Sequence, residues 1–188
     1  AWSFPEMIRH GYTQCTACHV SPAGGGIIST YGRELAGELL STWSYKNESQ
    51  FLHSSVGEKL SERGLLFGGD VRIVQYRYEN SQQLDGKLFL MHADFQGAYV
   101  TQYFTGVVAI GDIEDPMSKA PKMTFNSTVY YGYLKFNDEI GLRAGRFFPA
   151  FGLNLPDHTV VTRWGLSFGP RLQFDSVEAS FLNEHWTI

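Results

Sequence analysis

No stretch of this chain approaches the ~20 consecutive apolar residues that a membrane helix needs. No run of lysine or arginine occurs and the formal net charge is −4, so nothing in the sequence invites a nucleic acid. Charge of either sign is sparse, at 18% of the 188 residues. Cysteine is sparser still, with two residues in all. No signal peptide is visible, and the chain begins at Ala1 rather than Met. That is the pattern expected of an exported chain after cleavage of its signal peptide at a small residue.

What is abundant is aromatic: 14 Phe, 10 Tyr and 4 Trp, alongside 20 Gly. This balance suits an all-β protein rich in tight turns, or an outer-membrane barrel with aromatic girdles. A mean hydropathy of −0.19 is compatible with the barrel, because only alternate barrel residues face lipid.

The chain divides into three parts. Residues 1–45 hold an irregular segment followed by a helical pattern, in which Leu35, Leu39, Leu40 and Trp43 recur at helical spacing. A helix is expected over about 31–43, capped by Ser29 or Thr30. Residues 46–64 read as a polar connector with room for a second short helix. From Leu65 to the end, six segments alternate with period two, at 65–80, 87–100, 102–112, 127–136, 139–148 and 172–182. Asn137 and Asp138 suit a short hairpin turn between the fourth and fifth. The segments 111–123 and 149–170 are longer and carry most of the prolines. Short turns alternating with long loops are the habit of outer-membrane barrels.

Alternation assigns faces. In the second segment Phe89, Met91, Ala93, Phe95 and Gly97 share one side, and Leu90, His92, Asp94 and Gln96 the other. In the fifth, Ile140, Leu142 and Ala144 oppose Gly141, Arg143 and Gly145. One side is apolar and the other mixes charge and amide. A soluble sandwich also alternates, with its polar side turned to water. The long loops and aromatics favour a porin-like antiparallel β-barrel over a sandwich. Single-chain barrels have at least eight strands, so six segments point to an incomplete one.

Both cysteines lie in Cys15-Thr16-Ala17-Cys18-His19. Cys-x-x-Cys-His is the attachment pattern for covalent c-type haem. Its spacing sets both thiols against the two vinyl groups at one porphyrin edge, and brings the His19 imidazole to the iron as proximal ligand. Three readings compete. A Cys15–Cys18 disulfide constrains little and leaves His19 unexplained. Zinc wants about four ligands, and no second cysteine pair exists. A thioredoxin-type site accompanies a βαβ pattern, which is missing. One haem c and its iron are therefore the expected cofactor. The glycines 24–26 either let backbone pass close to a flat macrocycle or serve as a plain linker. Arg33 and Arg9 are candidate partners for the propionates. The sixth iron ligand has candidates in the four methionines and in the histidines besides His19. His10 is the best local one, lying close to the attachment site in sequence. His92 is the best strand-borne one, because it shares the polar side with Asp94 and Gln96.

"CTACHVSPAGGGIISTYGREL" resembles the N-terminus of fused outer-membrane monohaem cytochrome–porins, and "LRAGRFFPAFGLNLPDH" is similar to a strand-and-loop segment of phosphate-selective-type porins. Together they cover about a fifth of the chain. The resemblance implies a haem-bearing N-terminal plug in a barrel of about 16 strands, moving electrons across the bacterial outer membrane. Residue by residue it supports Cys15, Cys18 and His19. The expected partners are outer-membrane lipid and periplasmic or cell-surface redox proteins, in a larger assembly. Two other functions stay open: a transport porin or structural subunit whose haem only organises the plug, and a haem peroxidase using His10 or His53.

Overall fold

The computed structural model describes residues 11–12, 14–22, 24–36, 57–80, 84–113, 125, 127–148 and 173–181. The chain is mainly β. Six strands, β1 (Leu65–Glu79), β2 (Leu84–Val100), β3 (Phe104–Ile113), β4 (Ser127–Lys135), β5 (Ile140–Phe147) and β6 (Phe174–Phe181), form one sheet in chain order. Every neighbouring pair is antiparallel. All six expected segments are thus strands, shifted by a few residues at their ends. The sheet is open: β1 and β6 are its two edges, and among the described residues the barrel does not close. Among the described residues two short α-helices precede it, α1 (Thr30–Leu35) and α2 (Gly57–Glu62). The first starts one residue before its expected position, and residues 37–43 of that expected helix lie outside the described residues. The second falls in the expected connector.

The connections differ by end. At one end β2 turns into β3 through residues 101–103, and β4 into β5 through 136–139. The Asn137 side chain closes the latter turn by accepting from the backbone N–H of Glu139 (2.9 Å) and Ile140 (2.6 Å). The link 80–83 and the two longer ones, 114–126 and 148–173, are at the other end.

Strand register sorts the side chains into two faces. One hydrogen-bonded row runs Leu66, Ala98, Val107, Tyr131 across four strands, and all four are buried. On the same face lie Asp70, Arg72, His92, Asp94, Gln96, Thr105, Ser127, Arg143, Glu178 and Ser180. The opposite face carries Phe67, Val71, Ile73, Phe95, Val108, Ile110, Leu134 and Val177, all exposed, up to 73% at Val177. The outer face is therefore rich in exposed apolar side chains, with Arg77, Glu79, Arg146 and Asp175 also on it, and the inner face combines the buried apolar row with charged and amide side chains. Isolated exposed apolar residues are ordinary, but so many on one face of a sheet are not.

One expected face changes. The pairing of β1 with β2 slips between Arg72 and Ile73, so that Met91 has no opposite number. This β-bulge reverses the alternation beyond it. Phe89 pairs with Val74 and joins the inner face, while Leu88 and Leu90 move outward. A strict period-two count runs through the bulge without seeing it.

Tyr133 illustrates how the inner face is packed. Its hydroxyl reaches across β5 to Ser180 Oγ, 3.1 Å away, passing over Gly141. A Cβ on Gly141 would collide with the Tyr133 ring. Gly141→Ala should therefore expel the ring and cost about 1–3 kcal/mol by overpacking. Urea unfolding followed by Tyr and Trp fluorescence measures that loss.

Candidate functional site

The Cys motif folds as a single 3₁₀ turn over Cys15–Ala17, with the backbone N–H groups of Cys18 and His19 both donating to the Cys15 carbonyl, at 3.2 and 2.9 Å. The chain then reverses. Val20 N–H donates to the Ile27 carbonyl (3.0 Å), and His19 bridges Ile28. Gly24, Gly25 and Gly26 carry the reversal with φ of 74°, 73° and 64°, a left-handed run that other residues adopt only at a cost. A Cβ on Gly24 would lie 3.6 Å from Cys15 Sγ and 3.9 Å from the edge of the His19 ring. The glycine run therefore folds back directly against the cysteine and the imidazole.

Helix α1 closes the other side. Ser29 N–H donates to the Cys18 carbonyl (2.8 Å), and the Ser29 hydroxyl donates to the Ala17 carbonyl (3.1 Å). The same hydroxyl oxygen caps the helix by accepting from Gly32 N–H at 3.1 Å. Gly32 packs on the motif backbone: a Cβ there would fall 2.5 Å from the Cys18 carbonyl oxygen and 2.6 Å from Ile28 Cγ2. Tyr31-Gly32-Arg33 thus has a mechanical reason, which is to bring a helix into backbone contact with Cys18.

Cys15 and Cys18 are unpaired thiols, each half-buried. Burial pushes the Cys15 thiol up, with a backbone hydrogen bond opposing. Burial likewise lowers the His19 pKa, against the backbone of Gly25, and so favours the neutral imidazole that ligates metals. His19 Nδ1 is buried with no hydrogen-bond partner. Among the described residues no three His, Cys, Asp or Glu side chains gather as a site for a bare cation. A covalent haem asks for something else, two free thiols at its edge and a separate neutral imidazole for its iron. The donor set, the orphaned imidazole nitrogen and the glycine cradle fit that group.

The motif rests on the inner, polar face of the sheet. Ile27 is buried in one cluster with Leu66, Ala98, Val107, Tyr131, Tyr133 and Phe147, and Val20 packs against it. Gly26 sits over Gln96, and Ile27 over Gly68. Ser21 accepts a hydrogen bond from Arg143 Nη1 at 3.1 Å. These contacts involve the sheet end that carries the short turns.

His92 occupies the same face farther along β2. Four residues separate it from Gln96, about 13 Å at strand rise. Its Nε2 lies 3.1 Å from Asp94 Oδ2, and its Nδ1 lies 3.8 Å from Asp70 Oδ2. Asp70 is paired with Arg72, and Asp94 also accepts from Gln96 Nε2 at 2.9 Å. The structure thus brings Cys15, Cys18 and His19 together and sets His92 among carboxylates on the same side of the sheet. His10 lies outside the described residues, as do Arg9 and His53. Arg33 is half-buried on α1.

Three contributors have no signature in the sequence: Ile27, Ser21 and Gly32. Only Arg143 was marked, by its place on the polar side of β5. Gly32→Ala should lift α1 from the motif at a cost of about 1–3 kcal/mol. Alkylation of Cys18 in the folded, haem-free chain, followed by mass spectrometry, should then run faster than in the parent.

Compared with family models, with curated proteins and with solved structures, the chain matches none, so the reading of this site rests on its own residues.

Proposed function

We propose that the chain is a c-type cytochrome carrying one covalent haem, which transfers electrons at or across the bacterial outer membrane. The observation that carries this reading is a juxtaposition. A Cys-x-x-Cys-His segment with two free thiols lies on the polar face of an antiparallel sheet whose other face is exposed and apolar. Cys15 and Cys18 would form the thioethers and His19 would hold the iron. Bound there, the haem supplies one-electron redox chemistry, while the protein contributes position, ligation and dielectric.

The inward polar and outward apolar pattern supports a porin-like β-barrel in lipid. The free edges of β1 and β6 offer the hydrogen-bonding groups with which further strands would complete it. The end with the turns 101–103 and 136–139, where the motif docks, would be the periplasmic end of such a barrel, and the end with both long links the outer one. Redox partners on the two sides follow from that orientation. A polar inner face also suits transport, so a porin whose haem only organises the plug is the second reading.

An oxidised and dithionite-reduced visible spectrum, repeated after acid–acetone extraction, tests the haem. Sharp low-spin bands that survive extraction are expected. They should vanish in Cys15→Ser/Cys18→Ser, whereas His19→Ala should keep the pigment but lose the low-spin form. A chain without haem, from a host competent to attach it, would sink the proposal. Replacing His10 and His92 in turn then identifies the sixth ligand. Liposome conductance that is large and indifferent to haem reduction would favour the porin.

The lipid-facing assignment has its own test. Val108→Arg places a charge in the outer face and should cost about 2–4 kcal/mol near a bilayer midplane. Equilibrium unfolding from lipid vesicles reads that loss.

A further inference from the structure

Arg143 is the least expected group on the inner face. Its side chain is 3% exposed and yet bears a permanent charge. The guanidinium stacks over Phe147 and Tyr131, 3.9 and 5.2 Å from the ring centroids. Its Nη2 donates to Glu178 Oε2 at 2.6 Å, and its Nη1 donates to Ser21 Oγ at 3.1 Å. The remaining Nε–H is buried with no partner. Burying an ion pair is a poor source of stability, because desolvating both charges offsets their attraction. Leaving one donor unmet adds to that cost. Such a group makes better sense as a device for register. Ser21 stands two residues after His19, and Glu178 is the β6 partner of Arg143 itself.

We infer that Arg143 is a positioning residue: it clamps the haem-attachment segment to the sheet through Ser21, with Glu178 holding the fork in place. The positive end of this ion pair touches the motif segment through Ser21, whereas Glu178 is held by the other nitrogen of the fork. The guanidinium therefore favours the reduced, less positive state of a group bound at Cys15, Cys18 and His19. The electrostatic part rests on the proposed haem; the clamp does not.

The test has two arms, both using the full chain. In the haem-free folded protein, the rates at which Cys15 and Cys18 react with a maleimide report how often the segment lifts from the sheet. Ser21→Ala, which leaves the Arg143–Glu178 pair intact, should raise them by about tenfold, the worth of a hydrogen bond to a charged donor. Arg143→Gln should raise them further, and Arg143→Lys should restore protection only in part, because one ammonium cannot reproduce the fork. Unchanged rates in Ser21→Ala would overturn the clamp even where Arg143→Gln fails to fold. In the haem-loaded protein, spectroelectrochemical titration should place Arg143→Gln below the parent midpoint potential and Glu178→Gln above it. Coincident potentials for Glu178→Gln and the parent would overturn the electrostatic bias. A chain that binds no haem would defeat the proposed function, and the thiol arm would still decide the clamp.

Discussion

A β-strand presents its side chains alternately to two faces, and in this chain both faces carry apolar residues while the buried polar side chains of Thr105, Ser127, Arg143 and Ser180 share one of them. Phe67, Val71, Ile73, Phe95, Val108, Ile110 and Val177 point outward, while Asp70, His92, Asp94, Gln96 and Arg143 share the inner face with the buried apolar row on which the N-terminal segment lies. The pleat makes the assignment collective, since moving one strand by one residue would exchange its whole polar and apolar sets. The β1–β2 bulge at Met91 does this locally and shows how firmly the rest of the register is held. Beyond the bulge Phe89 turns inward beside Lys87, whose ammonium lies 5.3 Å from its ring.

The mixture of apolar and polar side chains on the inner face explains how so irregular a segment as 14–22 and 24–29 keeps a definite place. It has little secondary structure beyond one 3₁₀ turn and one bridge. Its position comes from one apolar anchor, Ile27, seated on the Leu66–Ala98–Val107–Tyr131 row, and one polar anchor, Ser21, held by Arg143. An apolar contact alone is non-directional and would let the segment slide along that row. A hydrogen bond from a buried planar guanidinium has direction, and supplies what the apolar row cannot. The inner face is thus polar for a constructive reason as well as a solvation one.

The reading of function grows from the same arrangement. Two thiols and an imidazole are common chemistry; here two free thiols are followed by a half-buried imidazole whose pKa burial lowers, wrapped by three left-handed glycines and backed by a helix. The exposed apolar residues of the outer face and the docked motif on the inner one are the two observations that the proposed function joins.

The sequence by itself determined the local parts. Strong period-two patterning marked all six strands, because the residues facing the two sides differ so sharply in polarity. Asn137 marked a turn, the pair Ser29 and Thr30 marked a helix start that Ser29 caps, and Cys15, Cys18 and His19 marked the candidate site, because each acts within a few residues of itself. What only the tertiary structure decided acts over long separations. Arg143 meets Ser21 across 122 positions, Tyr133 meets Ser180 across 47, and Gly32 matters only because the Cys18 backbone returns to it. Those contacts depend on which residues the strand register and the glycine reversal place opposite one another, and neither the bulge at Met91 nor that reversal leaves a periodic mark on the chain.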